Sequence, residues 1–165
     1  MGQRTERKPI RLLCAALVFV CVSPIGHTQR DALSNSEIEQ AISRFVTALN
    51  NLDWPAFRAC FSTSPTGFFP FPQIARRVEG AEFDKAWQFI FDRGRKQAAG
   101  EGKTSPPFLD IKLKDIRIDR LTNEVAVVTF HLGAEPRLNR RTFILQRFPA
   151  GWKIVHVHAS YLVQE

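Results

Sequence analysis

The chain has 165 residues, a formal net charge of +7 and three cysteines. It contains no run of five lysines or arginines, so its charge does not indicate nucleic-acid binding, and no nucleic-acid partner is expected.

Cys14 and Cys21 lie in the N-terminal leader described next. Cys60 is then the one cysteine of the mature chain, which excludes an intrachain disulfide. It lies in an apolar helical pattern and is predicted to be a buried, unreactive thiol.

Residues 1–29 have the pattern of a secretory signal peptide. Four basic residues between Arg4 and Arg11 precede an uncharged apolar stretch, residues 12–22, that is too short to span a bilayer. We therefore expect export to the periplasm or the medium, and no stable membrane span after processing.

Cleavage is predicted between Gly26 and Arg30. The mature chain, residues 30–165, then forms one domain and carries a net charge of +4, because the leader accounts for +3 of the +7. An uncleaved membrane anchor is the alternative, and lipidation at Cys21 is a lesser one.

Three helices are predicted in the first half of the mature chain. The first begins at a capping box, residues 36–39, and its apolar side chains recur every three or four positions up to Asn50. Asp53 is the predicted N-cap of a short second helix that ends near Phe61. The third helix begins after Gly80. Its apolar stripe, which we assign to the core, consists of Phe83, Trp87, Ile90 and Phe91.

Two segments are predicted to be irregular, one between the second and third helices and one between the third helix and a run of strands. The prolines of residues 63–72 limit that segment to an edge strand or an extended loop. Residues 97–107, with two glycines and a Pro-Pro pair, are predicted to be a loop. From Phe108 onward the apolar period changes to two, and its phase slips at Lys114 and Asp115, which predicts a β-bulge.

The C-terminal half is predicted to be antiparallel sheet. A turn at residues 121–124 precedes a strand at 125–132, and the chain closes with a hairpin of strands 140–148 and 152–160. Gly151 in the turn is free to adopt a positive φ. Helices followed by antiparallel strands predict a two-layer α+β domain.

The segment Gly151–Ser160, with the sequence GWKIVHVHAS, resembles the terminal strand of the nuclear transport factor 2-like superfamily. Val78-Glu79-Gly80 before the third helix and residues 49–61 resemble it too, and the likeness covers residues 36–161. The chain is most similar to the SnoaL-like group, which includes the association domain of calcium/calmodulin-dependent kinase. The resemblance implies a cone-shaped fold, with three N-terminal helices packed over a curved, mostly antiparallel sheet around a pocket. Some members are isomerases, dehydratases or cyclases, and many only bind ligands or assemble.

The resemblance argues against one known chemistry of this superfamily. Ketosteroid isomerase-like members have an enolate-stabilising tyrosine where this chain has Phe45, and a general-base aspartate where it has Phe68-Phe69-Pro70. A phenylalanine can neither accept a proton nor donate to an oxyanion, so both functional groups of that mechanism are missing.

A hairpin that turns at residues 149–151 places Phe148 opposite Trp152 and assigns the remaining side chains to two faces. The face predicted to lie under the helices and to line any cavity is apolar in its middle. It consists of Leu145, Val155, Phe143, Val157, Arg141, Ala159 and Tyr161. The other face suits a partly wet surface or a subunit contact. It consists of Phe148, Trp152, Gln146, Ile154, Ile144, His156, Thr142, His158 and Ser160.

Arg141 is the main candidate for ligand binding, since a guanidinium on an apolar face needs a carboxylate, internal or from a ligand. The resemblance to the kinase association domain implies the same role, because an arginine on the equivalent strand contributes there to a carboxylate pocket. A second pocket arginine of that domain corresponds to Ala159 here. Tyr161, Phe143 and Val157 complete the predicted ligand-binding set. The structural alternatives are that Arg141 pairs with an internal acid or reaches water, and that Tyr161 is a core-edge residue.

Trp152, His156 and His158 are the candidates for a dimer surface. His156 and His158 point the same way along a strand, but two imidazoles are too few for a closed zinc site, so we predict no metal and no cofactor. Imidazoles titrate near neutral pH, so a homodimer contact made by them would depend on pH.

We therefore predict an exported, non-catalytic homodimer that binds a small, partly apolar and possibly anionic molecule in the cone pocket. One alternative is a SnoaL-like lyase, cyclase or isomerase that uses a pocket histidine or aspartate as general base. Its candidate bases are Asp53, Asp110, Asp119 and His131. The other alternative is a dimeric assembly module whose pocket is filled by phenylalanine side chains.

Overall fold

The computed structural model of the chain describes residues 26–71, 74, 76–132 and 137–163. Side chains are described within these ranges from Asn35 to Tyr161, apart from those of residues 137 and 138. The predicted signal peptide lies outside the described residues as far as residue 25.

The described residues form helices over a single mixed sheet. The elements are α1 (Gly26–Asn50), α2 (Trp54–Arg58), β1 (Phe61–Phe68), β2 (Val78–Glu79), α3 (Gly80–Gly100), β3 (Leu113–Arg120), β4 (Val125–Leu132), β5 (Arg137–Phe148) and β6 (Gly151–Val163). The strand order is β2-β1-β6-β5-β4-β3. Strands β1 and β6 are parallel, and the other neighbouring pairs are antiparallel. The predicted α+β class with a mostly antiparallel sheet is confirmed. None of the helices among the described residues combines the length and apolar character needed to cross a membrane.

Helix α1 begins at Gly26 rather than at the predicted capping box of residues 36–39. The predicted start is wrong. Residues 27–35 contain neither glycine nor proline, so they can continue the helix on the N-terminal side of Ser36. The C-terminal end at Asn50 is confirmed.

The second and third helices begin where they were predicted. The Asp53 side chain accepts a hydrogen bond from the Ala56 backbone N–H at 3.0 Å and caps α2, with a proline in the first turn. Helix α3 begins at Gly80, whose φ is +56°. It continues to Gly100, so the first part of the predicted loop is helical.

Strand β1 is not an edge strand, which corrects the prediction made from its prolines. It lies between β2 and β6. Pro65 is buried at the point where the β1–β6 register shifts, between Phe61 and Thr66. Proline has no backbone N–H, and at this irregularity no regular hydrogen bond between the strands is lost because of it.

The closing hairpin has a tighter turn than predicted. Phe148 pairs with Gly151, not with Trp152, and the φ of Gly151 is +98°. A register shift between Ile144 and Leu145 then leaves Val155 as an extra residue in β6, and the predicted pairing holds beyond it. The shift moves Trp152 and Ile154 to the inner face, where both are buried.

Phenylalanine side chains fill the narrow end of the cone. Phe45 is buried, and its ring centroid lies 5.2 Å from that of Phe57 and 5.0 Å from that of Phe143. The predicted α3 stripe is confirmed as core, with Phe83, Trp87 and Phe91 buried and Ile90 partly buried. The core therefore occupies the narrow end, and any ligand space must lie toward the open end.

Candidate functional site

A cavity of about 910 Å³ opens at the wide end of the cone. Its walls come from the C-terminal half of α3, residues 109–114, and the ends of β4, β5 and β6. Its apolar lining consists of Phe71, Ile90, Leu109, Ile111 and Leu132. The interior of the protein is therefore only partly filled by its aromatic core.

Residues 108–111 form one wall because Asn50, at the end of α1, holds them. The Asn50 carbonyl accepts from the N–H groups of Phe108 at 2.8 Å and Leu109 at 3.0 Å. Its side chain accepts from the Ile111 N–H at 2.8 Å and donates to the Ile111 carbonyl at 3.1 Å. The alternating Leu109 and Ile111 thus face the cavity without belonging to a strand, and β3 begins only at Leu113.

Arg141 lines the cavity from β5, on the face that the sequence analysis predicted. Its Cα partners are Phe130 on β4 and Ala159 on β6, and both are buried. The guanidinium donates to the Arg140 carbonyl at 2.9 Å and lies 6.0 Å from the Tyr161 ring centroid. Burial lowers the pKa of Arg141, and the Tyr161 hydroxyl partly opposes that shift.

No carboxylate of the described residues pairs with Arg141. The structural alternative of an internal acid is therefore not observed in this part of the chain. A partly desolvated guanidinium without a counter-charge is a ready site for an anion.

The other predicted ligand-binding residues divide into two groups. Tyr161 lines the cavity beside Arg141. Phe143 and Val157 are on the same face but fully buried, and they do not line it. Sequence reasoning missed Asn139, which lines the cavity as the Cα partner of Tyr161 and whose buried Oδ1 has no hydrogen-bond partner among the described residues. Its position two residues before Arg141 is the signal that could have found it.

Charged side chains of both signs line the cavity. The cations are Arg93, Lys103, Lys112, Lys114 and Arg141. The acids are Glu101 and Asp110, which form ion pairs of 2.9 Å with Lys103 and 3.2 Å with Lys112 respectively. The remaining lining charge is therefore positive.

The four candidate general bases are not brought together. Asp110 lines the cavity, but its side chain is 76% exposed and paired with Lys112. Asp53 caps α2, Asp119 is exposed on β3, and His131 contacts Asp115 through Nδ1 at 3.2 Å. Only Asp110 of these four is placed to meet a ligand in the cavity.

The two histidines of β6 lie on the sheet face away from the helices. The His156 Nδ1 is 2.7 Å from the Thr66 hydroxyl, and the Phe68 ring centroid is 6.1 Å from that of His156 and 5.9 Å from that of His158. Among the residues that the structure describes, no three His, Cys, Asp or Glu side chains form a cluster that could hold a metal ion.

Trp152 does not belong to this surface, and its assignment to the outer face is wrong. It is 2% exposed, and its indole N–H donates to Glu37 of α1 at 3.2 Å. The register shift at Val155 turns it inward, where the largest side chain of the strand gains both burial and a hydrogen-bond acceptor.

Cys60 lines a separate groove of about 470 Å³ between α1, α2 and the start of β6. It is half-buried, its Sγ donates to the Ala56 carbonyl at 3.4 Å, and burial raises the pKa of the thiol. A thiol with a raised pKa has little thiolate character, in line with the predicted unreactive role.

The protein belongs to the SnoaL-like domain family, whose family model matches residues 38–164. The match includes every strand of the sheet, α3 and the cavity-lining residues named above. No curated protein matches the sequence significantly.

Solved structures of low sequence identity share the fold. A candidate dehydratase of the NTF2-like family from Streptomyces avermitilis is 17% identical with a TM-score of 0.61, over 81% of this chain and 99% of that one. A cystatin-like fold protein from Burkholderia xenovorans is 22% identical with a TM-score of 0.59, over 82% and 97%. The association domain of CaMKII from C. elegans is 15% identical with a TM-score of 0.55, over 80% and 98%. These similarities establish the nuclear transport factor 2-like cone.

Proposed function

We propose that this SnoaL-like domain binds a small, partly apolar, anionic molecule in its cone cavity and does not catalyse a reaction on it. The supporting observation is Arg141, a partly desolvated guanidinium that faces the cavity and has no carboxylate partner among the described residues. The apolar wall formed around Ile90, Leu109 and Leu132 offers a surface for the body of the ligand.

Binding is favoured over the two alternatives for specific reasons. Asp110, the one candidate base at the cavity, is exposed and its carboxylate is paired with Lys112, so it is not positioned to remove a proton from a bound ligand. A pure assembly module with a filled interior is disfavoured because the cavity of about 910 Å³ remains beside the aromatic core.

A thermal-shift titration with straight-chain monocarboxylates from butyrate to decanoate tests the proposal. A ligand at a hundredfold excess over its Kd should stabilise the wild-type protein by about 2.7 kcal/mol. Replacing Arg141 with alanine should weaken binding about 10- to 100-fold, because a charge-assisted hydrogen bond contributes about 1.5–3 kcal/mol.

The matched control is Arg95→Ala, which removes a guanidinium of α3 that does not line the cavity. It should respond to the ligand as the wild type does. Equal ligand stabilisation of Arg141→Ala and wild type, or no response to any carboxylate, would refute the proposed function.

We also propose that the domain is exported after removal of residues 1–29 and that it forms a homodimer through the outer face of its sheet. The basic and apolar segments of the leader support export. Expression of the full chain in a secreting bacterial host, followed by intact-mass measurement, should give a soluble product that begins between Gly26 and Arg30. Recovery of the uncleaved chain in the membrane fraction would instead support the anchor alternative.

A further inference from the structure

Among the described residues, the charged side chains of the cavity leave three cations without a counter-charge. The carboxylates of Glu101 and Asp110 each form an ion pair with a neighbouring lysine of the same wall. The cavity-lining cations that pair with no carboxylate of the described residues are Arg93, Lys114 and Arg141. A ligand with a single negative charge would therefore satisfy only one of the three.

These three cations come from different walls and differ in exposure. Arg141 is half-buried on β5 and is the innermost of them. Arg93 of α3 and Lys114 of the edge strand β3 are exposed, which places them where the cavity opens to solvent. The Arg93 guanidinium lies 5.9 Å from the Phe89 ring centroid, a contact that leaves its N–H donors available in the ring plane of the guanidinium.

Apolar surface lies alongside these charges. Ile90 belongs to the same helix as Arg93, and Leu132 is the Cα partner of Leu113, the residue before Lys114. A molecule that satisfies the site thus needs an apolar body as well as more than one negative charge.

We propose that the ligand is an amphipathic dianion, with an apolar body and two negative charges carried by two carboxylates or by one phosphate monoester. This inference rests on the proposed binding function and extends it by naming the ligand class. Arg141 binds one anionic group in the interior, and Arg93 and Lys114 attract the second charge at the opening.

The test compares three ligands that each have seven apolar carbons: octanoate, azelate and heptyl phosphate. Calorimetric titration of the mature wild-type protein at low ionic strength should show azelate, heptyl phosphate or both binding about three- to tenfold more tightly than octanoate. The advantage should shrink at high salt, because exposed cations are screened. A gain for azelate alone places the second charge at the far end of the ligand, and a gain for heptyl phosphate alone places both charges at one end.

The double variant Arg93→Gln/Lys114→Gln should abolish this advantage and change octanoate binding by less than about twofold. Lys96→Gln is the matched control, since it removes an exposed cation of α3 that does not line the cavity. It should keep the preference for the dianions.

The outcomes separate the two proposals. If octanoate binds in an Arg141-dependent manner but neither dianion binds more tightly, or if the double variant keeps the preference, the dianion inference is wrong and the binding function stands. If none of the three ligands binds, or if binding is indifferent to Arg141→Ala, the binding function fails and the inference fails with it.

Discussion

His156, on the outer face of the sheet, has a pKa that is shifted by its surroundings. Its imidazole contacts the Thr66 hydroxyl and the Phe68 ring of β1, and Ile144 is its Cα partner on β5. Burial lowers the pKa of His156 below its usual value of 6.5, and the positive charges of His158 and Arg77 lower it further. The folded protein therefore binds a proton at this site less readily than the unfolded chain does.

This difference predicts a loss of stability toward acidic pH. Above the unfolded pKa of about 6.5 both states are neutral at this site, and the stability is fully present. As the pH falls from about 6.5 toward the lower folded pKa, the unfolded state takes up more protons and the free energy of unfolding decreases. Urea unfolding between pH ~7.5 and ~5 should show a smaller decrease for His156→Gln, whose amide can still bond to Thr66. An unchanged pH dependence in this variant would show that other groups cause the decrease.

For Arg141, the sequence predicts on which face of the sheet the side chain lies but not which charged groups surround it. Its inward position follows from alternation along β5, which the sequence reveals. Its lack of a carboxylate partner within the described part of the chain depends on where the acids of α3 and of residues 109–114 lie, and alternation along one strand carries no information about them.

Among the elements, strand β6 is decisive because its bulge assigns side chains to opposite layers. Before Val155 the inner residues are Trp152 and Ile154, and after it they are Val157 and Ala159. The apolar spacing of two, then three, then two residues was visible in the sequence, and it is the signal that should have predicted the bulge.

The outer face that remains is suited to a subunit contact at its centre. Ile144, His156 and Val127 are Cα partners across three strands and are half-buried in the monomer, while Gln146 near the end of β5 is exposed. An apolar centre with a polar margin is the usual arrangement of a protein interface.

We expect Ile144→Glu to disrupt the proposed homodimer, because the substitution places an unpaired carboxylate in the centre of the contact. Sedimentation velocity should show an apparent dimer Kd raised at least about tenfold. Phe89→Glu adds the same charge at a residue of α3 that is 51% exposed, and it should leave the dimer intact. A wild-type protein that is monomeric throughout, or an Ile144→Glu variant that is as dimeric as the wild type, would contradict this interface.

At the scale of the whole molecule, aromatic packing decides how much of the cone remains open. Phe45, Phe57, Phe61 and Trp87 contact one another at the narrow end, with centroid separations between 4.7 and 6.0 Å. This packing fills the core and leaves the cavity near the open end. The charged opening and the apolar wall together define the ligand class proposed for the site.

Features that depend on neighbouring residues could be predicted from the sequence. Apolar periodicity located the end of α1 and the core stripe of α3, and turn chemistry located Gly151. The phase slip at Lys114 and Asp115 located the β3 bulge, where the φ of Asp115 is +52°. These predictions succeeded because backbone preferences and side-chain alternation act over a few residues.

Features that join distant parts of the chain could not be predicted from the sequence and are seen only in the folded structure. The indole of Trp152 turns inward toward Glu37, which lies 115 positions earlier. Asn50 holds Ile111 from 61 positions away and thereby builds a cavity wall outside any strand. The parallel pairing of β1 with β6 likewise places a proline-containing strand inside the sheet. Such contacts are selected by the packing of the whole core, and the local pattern of the sequence does not encode them.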